Sequence, residues 1–108
     1  MKSTVALGVQ KTLDIKNQIT GVFEVSVGTL TSSYVHPREV FKRAILQNSA
    51  AIILGHNHPS GIPDPSKDNI EITKKLINGG NILGVNVLEY VIVGNNETYI
   101  SMKEKCVI

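Results

Sequence analysis

The stretch that decides the reading is Ala50-Ala51-Ile52-Ile53-Leu54-Gly55-His56-Asn57-His58-Pro59-Ser60-Gly61. Its first half is a short, continuous apolar run, the pattern of a strand buried on both faces of a sheet. Successive side chains of a strand point to opposite faces, so His56 and His58 share a face and Asn57 turns away. The pair stands at the exit of the strand, where open α/β sheets carry their sites. Two histidines with one oxygen ligand are a recurring set for catalytic zinc, with a fourth position left for water. Hydrogen bonding of both histidines to loop backbone is the competing reading. The paired spacing before a rigid loop favours a site.

Working outward, Pro59-Ser60-Gly61-Ile62-Pro63-Asp64-Pro65 holds three prolines and a glycine and reads as a stiff loop. Ser66 then opens a helical pattern that runs to Gly84, with Ile70, Ile77 and Leu83 near one face and Lys67, Lys74 and Lys75 away from it. Ser66 is a good N-cap, and Asn69 stands where it supports that cap. First-turn side chains, Ser66 with Asp68 or Asn69, are placed to point back at the histidines.

On the N-terminal side, a strand is expected within Thr4 to Ile15, a turn at Lys16-Asn17 and a second strand from Ile19 to Val27. There Val25 and Val27 alternate with Glu24 and Ser26. His36-Pro37 reads as a helix start, since proline suits the first helical position. The helix to about Gln47 has Val40, Phe41, Ala44 and Ile45 as its core face, and Glu39 and Arg43 pair across one turn. Beyond Gly84, Val85 to Val93 is a β-rich strand, and Gly94-Asn95-Asn96 is a hairpin turn leading into Thr98-Tyr99-Ile100. Met102 to Cys106 is expected to form a short terminal turn.

Two long motifs in register, Val35-His36-Pro37-Arg38-Glu39-Val40-Phe41-Lys42 and His56-Asn57-His58-Pro59-Ser60-Gly61, together with Pro65-Ser66, resemble the JAB-type domain of the bacterial RadC family. More broadly, they resemble the JAB/MPN metalloprotease (JAMM) motif. The similarity runs from about Asn17 to Lys105. It implies an α/β fold: a three-layer α/β/α, cytidine-deaminase-like arrangement with a mixed central sheet. It also implies a bound zinc ion and a metallopeptidase-type hydrolase acting on an amide or isopeptide bond, with a peptide or protein as substrate.

Carried over residue by residue, the resemblance makes His56 and His58 the histidine ligands. Ser66 becomes the serine that hydrogen-bonds the catalytic water or the oxyanion. The family's aspartate falls on Asn69, whose neutral amide oxygen is a poorer zinc ligand than a carboxylate. Asp68 lies one residue earlier, a rotation of about 100° on a helix. Either Asp68 or Asn69 completes the site. Glu24, on the strand before Gly28-Thr29-Leu30, matches the family's glutamate and is the candidate general base. Its bland alternative is a solvent-facing strand residue. Glu89-Tyr90 stands where relatives commonly read Asp-His. A degenerate, non-catalytic binding module of the same fold, set in a DNA-processing assembly, is the alternative that Asn69 favours.

With 108 residues, 42% apolar and 19% charged, the chain is expected to be one domain, residues 1–108, of ordinary globular composition. No apolar run approaches the roughly 20 residues needed to span a bilayer. With no signal-type segment at Met1 to Val9, a cytoplasmic setting without membrane contact is expected. The lone Cys106 permits no internal disulfide and is expected to be a free thiol. A net charge of +2, with scattered lysines and arginines and few aromatics, does not support a nucleic-acid surface, whatever the DNA-repair label of the RadC name. His56-Asn57-His58 is not the HNH nuclease signature, which is built from separated residues. The strand near 85–93 and the N-terminal strand are the edges through which a second copy could pair.

Overall fold

The apolar run at Ala51 forms a strand third in a five-stranded sheet. In chain order the elements are β1 (Ala6–Leu13), β2 (Ile19–Gly28), α1 (Pro37–Leu46), β3 (Ala51–Asn57), α2 (Lys67–Leu83), β4 (Asn86–Val93) and β5 (Tyr99–Ser101). The computed structural model describes residues 6–28, 37–57, 67–94 and 99–104, without the side chains of 6, 7, 25–28 and 67–69. The expected proline loop lies outside the described residues.

The sheet order is β2-β1-β3-β4-β5. β1 runs antiparallel to both neighbours, β3 and β4 are parallel, and β5 returns antiparallel to β4. The sheet is therefore mixed, as the resemblance implies. β2 and β3 are parallel to each other across β1, so β2-α1-β3 and β3-α2-β4 are both crossovers between parallel strands. Both step in the same direction along the sheet. Such connections are right-handed almost without exception, which sends both helices to one face.

The packing agrees. Val40, Phe41 and Ala44 of α1 and Leu76 of α2 join one core with Ile52, Leu54, Val87, Tyr90 and Ile92 of the sheet. Of the three layers that the resemblance implies, the described residues form two, a sheet and one helical layer. On the other face, Lys11, Val22, Glu24 and Val93 are exposed and Val9, Ile53 and Val91 are half-buried.

Local chemistry sets the ends of the elements. At the β1–β2 turn the Asp14 carboxylate accepts from the Lys16 and Gln18 amides, and Asn17 adopts φ 60°, a conformation asparagine tolerates. α1 closes in a Schellman cap, with Ser49 N–H donating to Ala44 O, Asn48 N–H donating to Ile45 O, and Asn48 at φ 51°. α2 closes likewise: Gly84 takes φ 75° and Val85 N–H donates to Gly80 O. This brings the Val85 carbonyl against the Gly80 backbone, where a Cβ would collide with it. Ile45 and Leu83, expected on core faces, are 55% and 49% exposed. Each lies in the last turn of its helix, where Ala44 and Gly80 are the buried residues. Arg43, expected to pair with Glu39, lies over the Phe23 ring at 5.1 Å from its centroid.

β5 and the turn after it are tied to β4 by one carboxylate. Glu89 Oε1 accepts from Tyr90 N–H at 2.9 Å and Lys103 N–H at 3.1 Å, and Oε2 accepts from Ser101 Oγ at 2.6 Å. Ser101 Oγ in turn accepts from Glu104 N–H.

Two substitutions test these constraints by urea unfolding. Gly80→Ala gains about 0.5–1 kcal/mol of helix preference but forces a side chain onto a backbone carbonyl, at a cost of about 1–3 kcal/mol. The expected result is a net loss, and a more stable variant would show that the cap is not tight. Glu89→Ala removes three charge-assisted bonds at a half-exposed site and should cost about 2 kcal/mol, Glu89→Gln about half of that. An Ala cost within the roughly 0.5 kcal/mol of an ordinary surface change would mean that the turn stands without its carboxylate.

Candidate metal centre

His56 is the penultimate residue of β3, and it is 6% exposed. Its register partners are Gly8 on β1 and Ile92 on β4, which puts it on the helix-bearing face with Leu54 and Ile52. Gly8 has no side chain to fill the space beside the imidazole. One step back, Leu54 is flanked by Gln10 and Tyr90. The Tyr90 side chain crosses diagonally to the next row, where its hydroxyl lies 2.7 Å from His56 Nδ1. The two rings meet edge to face, with centroids 5.3 Å apart and planes at 87°.

Tyr90 is 1% exposed. Burial pushes its hydroxyl well above the ordinary phenol range, so it stays a neutral phenol at any physiological pH. Gln10, fully buried in the same layer, donates from Nε2 to Val40 O at 2.9 Å. Its Oε1 has no hydrogen-bond partner among the described residues.

The expected site residues fall into three groups. His56 is placed and buried. The crossover topology brings the first turn of α2, with Asp68 and Asn69, to the same end of the sheet as the C-terminus of β3, because a helix joining parallel strands runs back against them. The side chains of Asp68 and Asn69 are not described. His58 and Ser66 lie outside the described residues, and α2 begins at Lys67, directly after the expected N-cap.

Glu24 is not brought to His56. A bulge between Gly8 and Val9 pairs Gly8 with Ser26 but Val9 with Glu24, leaving Val25 as the extra residue. Ser26, Gly8 and His56 share one row, whereas Glu24 shares the next with Val9 and Gly55. The pleat therefore turns Glu24 to the opposite face, where it is exposed. Without the bulge, strict alternation would have placed Glu24 beside Gln10, on the His56 face. The bulge is the physical reason that the expected base does not approach His56.

Among the described residues no three His, Cys, Asp or Glu side chains gather to hold a metal. His56 itself fits a ligand's role. Metal-binding histidines almost always engage their second nitrogen in a hydrogen bond that fixes tautomer and ring orientation, and Nδ1 is so engaged. Nε2 is then the nitrogen a metal would take.

Tyr90 and Gln10 are the site residues that pattern reading did not assign. Tyr90 stood out only as a departure from Asp-His. Gln10 stands between Val9 and Lys11, a pattern that does not single it out.

Comparison with known proteins follows the same lines. The chain matches the family model of the RadC-like JAB domain over residues 9–107. It is 55% identical over 96 residues to a UPF0758 protein of Desulfitobacterium hafniense, covering 89% of this chain and 42% of that protein. UPF0758 proteins of Caldanaerobacter subterraneus and Methanosarcina acetivorans are 53% and 50% identical over 93 residues, covering 86% of this chain and 40% of each relative. The chain thus spans about two-fifths of the length of these curated relatives. With the motifs of α1 and β3, the mixed sheet and the family match all in agreement, the chain belongs to the RadC-like JAB domain family.

Proposed function

We propose that this domain is a zinc-dependent hydrolase of the RadC/JAMM type, cleaving an amide or isopeptide bond in a peptide or protein. The observation that carries the reading is the buried His56 at the C-terminal end of β3, held through Nδ1, at the end of the sheet to which α2 returns its first turn. His56 and His58 are the nitrogen ligands, and Asp68 or Asn69 supplies the oxygen. When bound, zinc supplies Lewis-acid activation of a water and of the scissile carbonyl.

The protein's own groups orient the reaction. Ser66, directly before the first residue of α2, offers its hydroxyl to the developing oxyanion. The N-terminus of α2 adds the positive end of the helix dipole at the same place. Glu24, exposed on the far face, takes no part in this assignment.

The alternative, a binding module that has lost tight metal binding, rests on Asn69 standing at the family's aspartate position. A neutral amide oxygen is a poorer zinc ligand than a carboxylate.

Elemental analysis of the purified, tag-free protein separates the two. Near-stoichiometric zinc that disappears in His58→Ala, with tighter binding in Asn69→Asp, is the expected outcome. A wild-type chain that stays metal-free when zinc is supplied, while Asn69→Asp binds it, would remove the hydrolase reading for this chain and leave the binding module.

A further inference from the structure

We propose that Tyr90 is the positioning residue of His56: its buried hydroxyl holds the imidazole through Nδ1, so that Nε2 is the nitrogen presented at the end of β3. The consequence for zinc rests on the proposed function, whereas the hold on the ring does not.

A neutral imidazole carries one proton on one of its two nitrogens. Ligation through Nε2 requires that proton on Nδ1, where in a buried site it needs an acceptor. The Tyr90 hydroxyl lies 2.7 Å from Nδ1, and its oxygen has lone pairs to accept that proton. A ring restrained at Nδ1 and packed edge to face at 5.3 Å keeps one orientation.

Tyr90 is itself fixed on every side. Its N–H donates to Glu89 Oε1, its carbonyl accepts from Met102 N–H, and its ring lies in the core with Ile52, Leu54 and Ile92. The ordering of the phenol is thus achieved by the fold before any ligand arrives, the condition for a preorganised site. A neutral phenol also adds no charge beside the ligand. It orients His56 without the gain in ligand basicity that a carboxylate partner would bring.

The test uses the whole chain, as wild type, Tyr90→Phe and Tyr90→His. Imidazole nitrogen shifts are read by long-range proton–nitrogen NMR with and without zinc, and zinc affinity by competition with a chromophoric chelator. Tyr90→Phe keeps the ring and loses only the hydroxyl. In the wild type His56 should show one ordered neutral tautomer without metal and a protonated Nδ1 with zinc. Tyr90→Phe should show shifts averaged between tautomers and bind zinc roughly 10–100-fold more weakly. Tyr90→His, which again offers a hydrogen-bonding nitrogen, should recover part of the loss.

Unchanged nitrogen shifts in Tyr90→Phe, or zinc affinity equal to wild type, would overturn the inference. If no variant binds zinc but the shifts change as expected, Tyr90 still positions His56, and it is the metal reading that fails.

Discussion

Everything in this domain depends on the handedness of its two crossovers. β1 separates two parallel strands, β2 and β3, and β4 extends the parallel pair on the far side of β3. Right-handed connection then leaves no choice about the helices, and both go to one face. That face acquires the core, the buried histidine and the phenol that contacts it. The same topology returns the start of α2 to the end of β3, so residues far apart in sequence are gathered at one end of the sheet. The other face carries exposed and half-buried side chains.

Against this frame the polar groups divide by how they are satisfied. Glu89 lies at the margin and uses both oxygens to tie β4 to the turn after β5. Tyr90, its neighbour, is inside and makes its side-chain hydrogen bond to His56. Adjacent residues of one strand thus serve opposite faces, one anchoring the end of the sheet and the other reaching into the site. The dipeptide Glu89-Tyr90 thus couples the β4–β5 pair to the imidazole.

Much of the architecture was legible in the residues. The apolar run at Ala51, the Val40, Phe41 and Ala44 stripe, and the turn residues at Asn17 and Gly84 each carry a local physical signal that the fold obeys. His56 was legible because alternation and burial agree at the end of a strand. The last helical turns were less so. Ile45 and Leu83 fit the helical period, but the period does not say which residues of a last turn the neighbouring elements cover. Glu24 was misplaced for another reason: a bulge is a two-strand property, created where Gly8 and Val9 meet their partners, and no single-strand pattern reveals it. The Tyr90–His56 bond joins residues 34 apart and depends on the register of parallel strands, which periodicity does not encode.

The bulge at Val25 also makes the chemistry of this sheet a matter of parity. At constant length, regular pairing carried on past Gly8 and Ser26 would set Glu24 opposite Gln10 and turn its carboxylate to the His56 face, whereas removal of Val25 would leave Glu24 opposite Val9 with the bulge gone. The side of the sheet that carries this charge is thus fixed by how one extra residue is accommodated in the pairing of β1 with β2.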